Sequence, residues 1–164
     1  MSFHVPSILQ SLILISVANS APVVCKRVLG ARFALPIDAG LVLRDGHPLL
    51  GRSKTWRGVV AAILVASCAA IVIDLPAQAG AVIAACAMAG DCLSSFVKRR
   101  LGMESSSMAL GLDQIPESLL PAIACSAFLP LSFLDVIVIV LVFFVGELAL
   151  SRLFFAVGLR DRPY

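Results

Sequence analysis

The sequence predicts an all-α, polytopic membrane protein with about five transmembrane helices, and three observations carry that prediction. Hydrophobic residues fill 60% of the 164 positions and the mean hydropathy is +1.00, well beyond an ordinary soluble domain. Apolar runs recur at close to the about 20 residues that a helix needs to cross a bilayer. The 13 Lys and Arg gather in four places that alternate with those runs, so that all four fall on one side. The length fits a single domain over residues 1–164.

The first run, 8–28, contains Ala18-Asn19-Ser20-Ala21, a plausible cleavage motif. A secretory signal carries its positive charge before the apolar stretch. Here Lys26 and Arg27 follow it, so a retained span is expected. A loop over about 36–57 comes next, with Asp38, Gly40, Arg44, Asp45, Gly46 and Gly51. Its Gly and Pro content predicts an ordered, turning segment. The second run, 58–73, is short. The third, 78–97, carries Asp91 inside it and ends on Lys98-Arg99-Arg100. The connector 101–112 contains Glu104-Ser105-Ser106-Ser107 and reads as a flexible link rather than a lid. The fourth run, 115–130, is also short and begins just after Asp113, with Pro116 in its first turn. Asp113 suits an N-cap. It also suits a divalent-cation site with Glu117, one helical turn on. The fifth run, 134–157, holds Glu147 five residues before Arg152, and an intramembrane ion pair or a buried protonated acid is expected there.

Charge orients this bundle. Lys26 to Arg32, Arg44 to Arg57, Lys98 to Arg100 and Arg152 to Arg162 lie on one side of five spans. The first few residues, 74–78 and 129–135 lie on the other and contain no Lys or Arg. Cytoplasmic loops carry the cationic excess, which predicts an N-terminus outside and a C-terminus in the cytoplasm. The five Cys form no CxxC or metal-ligand spacing and read as packing residues. His4 and His47 fall on opposite sides and cannot share a metal. Small residues over 61–70 and 79–89 permit close helix packing, and with it a homodimer.

Gly90 to Arg100 is the most informative stretch. At helical spacing Asp91, Ser95 and Lys98 or Arg99 share one face. A carboxylate at membrane depth is costly and by default functional. With a hydroxyl and a cationic cluster above it, the arrangement suits metal-assisted phosphate chemistry at a membrane surface. A small transporter is the alternative class. It would carry polar groups from face to face, whereas here the outer halves of the runs are almost wholly apolar.

Three blocks then fall into one pattern: Pro36-Ile37-Asp38-Ala39-Gly40 with Asp45-Gly46 and Leu50-Gly51-Arg52-Ser53-Lys54-Thr55-Trp56-Arg57-Gly58; Gly90-Asp91 with Ser95 to Gly102; and Leu112-Asp113-Gln114. From about residue 36 onward the chain resembles the CDP-archaeol synthase family, relatives of the CDP-diacylglycerol synthases. The resemblance implies a membrane enzyme that transfers CMP from CTP to a lipid phosphate with Mg2+, its active site at the cytoplasmic face. Its partners would be CTP, the lipid phosphate and membrane lipids, with no nucleic acid; a non-catalytic lipid-binding relative is the variant reading. By position, Asp91 and Asp113 would bind metal, Lys54, Arg57, Lys98 and Arg99 would face phosphates, and Ser95 would belong to the same site.

That chemistry joins two polyanions, so positioning and charge neutralisation dominate it. Asp91, Asp113 and Glu117 are the candidate carboxylates for Mg2+, with Asp91, Asp113 and Lys98 at the reacting centre. Arg52, Lys54 and Arg57, just before the second run, are expected to reach the triphosphate, with Asp38 a further candidate for substrate. The chain departs from the family pattern in two places. Pro116 stands where many members carry an acid, which here is Glu117, one position later. Glu147 and Ser151 stand where a His and an Asn are expected.

Overall fold

The computed structural model describes residues 3–156 and is built of five helices: α1 (Val5–Leu29), α2 (Trp56–Val72), α3 (Ala77–Arg100), α4 (Gln114–Cys125) and α5 (Phe133–Ala156). No strand occurs among the described residues, only two isolated bridges, Pro36–Thr55 and Val42–Pro48, within the α1–α2 loop. Arg160, Arg162 and the end of the fifth predicted run lie outside the described residues.

Each helix has a local reason to start or stop where it does. Pro6 lies in the first turn of α1, where a missing amide costs nothing. Lys26 and Arg27 complement the last turn of α1, and Gly30 ends it at φ +56°. Ala18 and Ala21, from the conceivable cleavage motif, sit in the bundle core of this continuous helix. Lys98, Arg99 and Arg100 close α3 in the same electrostatic sense. α4 is the exception to the sequence reading. It has 12 residues, about 18 Å at 1.5 Å per residue, and ends at Cys125. The chain then tightens, with the amides of Ser126, Ala127 and Phe128 bonding carbonyls three residues back.

Two interior clusters hold the helices together. At one end Ile8, Leu14, Ile15, Ile83, Ala122, Ile139 and Phe143 interlock. Toward the other the core is nearly all alanine: Ala18, Ala21, Ala62, Ala66, Ala84 and Ala87, with Met88. Small side chains bring backbones close. A Cβ on Gly80 would lie 2.2 Å from the Ala66 carbonyl oxygen, so α3 meets α2 backbone to backbone there. The outside is the reverse of a soluble protein. Leu9, Ile13, Leu64, Ile71, Val72, Ile123, Leu141 and Val145 all stand exposed. A shell of that size marks a membrane or interaction surface. α1 and α3 are each long and apolar enough to cross a membrane, and α2 is a shorter apolar helix.

The two ends differ in chemistry. At the cation-free end, Asp135 is fully buried. It accepts from Ser132 N and Oγ, both at 2.8 Å, and contacts His4 Nδ1 at 2.8 Å, pinning the start of α1 to the start of α5. Gln10 Nε2 donates to the Ile73 carbonyl at 3.0 Å, tying the end of α2 to the same place. The Lys and Arg clusters of the described residues lie at the opposite end.

Gly80→Val should lower the melting temperature of the detergent-solubilised protein by the equivalent of about 1–3 kcal/mol or more, the cost of overpacking. Gly146→Ala, whose Cβ meets open space, should leave it unchanged or raised. Equal melting temperatures for Gly80→Val and wild type would contradict the close α2–α3 approach.

Candidate active site

At the cationic end one ammonium and two carboxylates meet. Lys54, in the loop just before α2, pairs through Nζ with Asp91 Oδ1 of α3. The Glu117 carboxyl of α4 is the next acid to it, close enough for both carboxyls to act on the same ammonium. Gly90 makes that meeting possible. A Cβ there would lie 2.2 Å from the Pro116 carbonyl oxygen and 2.9 Å from the Glu117 amide nitrogen, so only glycine admits the first turn of α4 against α3. Asn19 of α1 reaches the Glu117 carbonyl oxygen at 3.5 Å. Burial works against the charge of Lys54, but the Asp91 carboxylate, helped by Glu117, outweighs it and holds the ammonium above the ordinary lysine range.

Lys54 is aimed by a folded loop. Asp38 is buried and accepts from Gly40 N at 3.0 Å, Leu50 N at 2.9 Å and Gly51 N at 3.0 Å. Burial pushes its carboxyl up, yet these amide bonds outweigh that and hold it below the ordinary carboxylate value. The Lys54 carbonyl accepts from Ile37 N at 2.9 Å, which fixes the strand-like segment on which the ammonium is carried. Asp38, a candidate for substrate, is thus the frame of the loop.

A second ion pair lies further along α3. Lys98 Nζ meets Asp113 Oδ1 at 2.6 Å, and both side chains are largely buried. Seven residues separate Lys98 from Asp91, about 10 Å of helix at 1.5 Å per residue. Asp113 occupies the cap position of α4 without a side-chain cap bond. Its other oxygen accepts from Ala109 N at 2.8 Å. Lys98 also donates to the Ser107 carbonyl at 2.9 Å, and Arg99 donates to the Glu104 carbonyl at 2.6 Å. The serine-rich connector is therefore tied to the end of α3 by two buried cations. Ser95 is buried on the same helix.

The structure thus brings Asp91, Glu117 and Lys54 together and joins Asp113 to Lys98 separately. Arg57 donates to the Gly30 carbonyl at 2.8 Å and to that of Arg32, so it caps the end of α1. Arg52 is exposed on the Lys54 loop. Arg100, not singled out from the sequence, pairs with Asp45 at 2.8 Å and lies 5.2 Å from the Phe96 ring centroid, holding the 41–49 hairpin to α3.

Two cavities flank the array. A small one of about 30 Å³ is lined by Pro22, Ile37, Lys54, Gly58 and Asp91. A larger one of about 170 Å³ lies between α1 and α5. It is lined by Ser16, Asn19 and Ser20, by Glu147 and Ser151, and by Glu117. Sequence reasoning passed over its α1 side, although Ser16, Asn19 and Ser20 at i, i+3 and i+4 are a polar stripe readable in an apolar run. Glu147 lines this cavity, while the Arg152 side chain is exposed.

The donor set fits a hard divalent cation. Two neighbouring carboxylates repel one another unless a cation lies close by, and carboxylate oxygens are what Mg2+ takes, usually one or two beside phosphate and water. Among the described residues no group of three or more His, Cys, Asp or Glu is placed to hold an ion. Asp91 and Glu117 are the pair that would face such an ion.

A family model for CarS-like CDP-archaeol synthases matches residues 6–164. The chain belongs to the CDP-archaeol synthase family. The match takes in α1, ahead of the motifs that begin at Pro36. The CDP-archaeol synthase of Thermofilum pendens is 32% identical over 154 residues, 90% of this chain and 76% of that protein. That of Aeropyrum pernix is 39% identical over 122 residues, 69% and 67% of the two chains. That of Hyperthermus butylicus is 39% identical over 104 residues, 60% of this chain and 59% of its own length, so that match spans less than two thirds of the relative. A solved structure of an intramembrane enzyme for archaeal membrane lipids biosynthesis superposes with a TM-score of 0.73 at 32% identity, covering 88% of this chain and 94% of that one. With the exposed apolar shell, this makes the chain an integral membrane protein.

Because Asp38 is held below the ordinary carboxylate value, its contribution to stability is complete above about pH 4, the unfolded carboxylate value, and is lost as the pH falls through its folded value. Asp38→Asn, which sets an amide donor against one of the three backbone donors, should melt lower than wild type at neutral pH. The gap should narrow on acidification below about pH 4. Thermal melts across that range check this; a gap that is constant or widens toward acid contradicts it.

Proposed function

We propose that the protein transfers CMP from CTP to a lipid phosphate at the cationic end of the bundle. A lipid phosphate oxygen attacks the α-phosphorus of CTP, the bond from that phosphorus to the β-phosphate bridging oxygen breaks, and pyrophosphate leaves. The observation that carries this reading is the Lys54–Asp91–Glu117 array, a cation and two acids held against each other at the edge of an apolar bundle. When bound, Mg2+ would be held by Asp91 and Glu117 and would neutralise phosphate charge. Asp113 is retained as a third acid of the site, acting through Lys98. Lys54 supplies a point charge to phosphate oxygens, and Arg52, on the same loop, extends that field toward the triphosphate. Arg57 and Asp38 support the site by holding the backbone around it. The α1/α5 cavity combines apolar Leu12, Val23, Val142 and Phe143 with hydroxyls, a lining suited to a lipid headgroup and the start of its chains.

The proposed orientation places the cationic end in the cytoplasm, where CTP is found, with the N-terminus outside. The separation of all described cation clusters from the His4–Asp135 end supports it. In a cysteine-free background, Arg44→Cys should react with a membrane-impermeant maleimide only after the cells are opened. Labelling in intact cells would reverse the orientation.

The direct assay is purified protein with labelled CTP, Mg2+ and a panel of lipid phosphates, scored for CDP-lipid. Asp91→Asn should fall by at least ~100-fold while remaining folded in the membrane, and Asp113→Asn should fall with it. Glu117→Gln should lower turnover and raise the Mg2+ needed for half-maximal rate, with Glu117→Asp between the two. Lys54→Ala should affect both kcat and KM for CTP. Full activity of Asp91→Asn would remove the array from the reaction.

A further inference from the structure

The stretch that joins the end of α1 to the start of α2 carries a surface that no part of the reaction uses. Val28 is 75% exposed, Phe33 77%, Leu35 63% and Trp56 51%. In water such side chains forgo about 25 cal/mol for every Å² of apolar surface they could bury. They do not dangle. Trp56 N donates to the Leu35 carbonyl at 3.0 Å, Arg57 clamps the carbonyls of Gly30 and Arg32, and Pro36 bridges Thr55. Phe33 is held at φ +55°, a conformation few non-glycine residues adopt, with its ring outward. The turn is thus fixed, and fixed against the ends of two membrane helices.

Two exposed cations flank it. The side chains of Arg27 and Arg32 make no hydrogen bond or ion pair to any described residue. Aromatic rings with Arg at the end of a spanning helix belong at headgroup depth. There the rings enter the acyl boundary and the guanidinium groups meet phosphate oxygens.

We infer that the 27–36 turn, with Trp56, is an interfacial foot that lies in the headgroup layer at the active-site end and binds the phosphates of anionic bilayer lipids. It would hold the mouth of the site at the depth where lipid phosphate groups lie and raise the local concentration of anionic lipid beside Lys54. The inference rests on the placement of the turn, not on the reaction, so it stands or falls apart from catalysis.

The chain contains one Trp, so fluorescence reads this surface directly. The full chain is reconstituted into phosphatidylcholine vesicles containing phosphatidylglycerol, and either lipid is supplied brominated near the headgroup end of its chains. Two proteins are compared, the wild type and Phe33→Trp in a Trp56→Phe background. Both should be quenched by the brominated lipids and shielded from aqueous iodide. Brominated phosphatidylglycerol should quench several-fold more than its mole fraction predicts, and Arg27→Gln with Arg32→Gln should return that preference to about one. Iodide access to the indole would overturn the interfacial placement. Quenching in proportion to mole fraction in wild type, or a preference unchanged by the arginine substitutions, would overturn anionic-lipid binding. If the Phe33→Trp protein does not fold, the measurements on Trp56 decide alone.

Discussion

Asp91 can lie among apolar helices because an ammonium from outside the bundle reaches it. An ionised carboxylate at that depth is costly unless it is paired, and its own helix offers no cation nearer than Lys98, two turns away. Lys54 is delivered by a loop, so the loop must be rigid. Its rigidity comes from Asp38, whose two oxygens take three backbone amides. Glu117 adds a second acid to the same ammonium, and it can approach only because residue 90 has no side chain. The order of dependence runs from Asp38 to the loop, from the loop to Lys54, and from Lys54 to the two acids.

The remainder of the molecule divides along the bundle axis. One end is sealed by the buried Asp135 with His4 and Ser132 and by an interlocked aliphatic core. The other has an alanine core, which lets the helices approach closely but fills little volume, and both cavities touch the acids at that end. Acids that meet cavities at the cationic end suit group transfer between a soluble and a membrane-bound reactant better than a transport path.

Run lengths and charge placement made the five helices legible. The third predicted run, 78–97, falls within α3, Ala77–Arg100. The fourth was read too long because hydropathy registers composition, whereas Ser126 to Leu129 are apolar enough to continue the run but turn in their backbone. The site was legible at Asp91, whose cost inside an apolar run is visible in one dimension. The partners of long cations were not. Arg57 and Arg99 read as phosphate ligands from their motifs, and the sequence did not show that each also donates to carbonyl oxygens of a neighbouring loop or helix end. The split between Asp91–Glu117 and Asp113–Lys98 depends on how α4 rotates against Gly90, and spacing within a single helix carries no information about that.

In the proposed reaction Asp91 and Glu117 would together hold the divalent cation. Exchanging Mg2+ for Fe2+ and supplying peroxide cuts the backbone next to the bound ion. The account predicts two cuts, close to residues 91 and 117, both suppressed by excess Mg2+ and both absent in Asp91→Asn. Cleavage centred on Asp113, or no cleavage that Mg2+ suppresses, would contradict it.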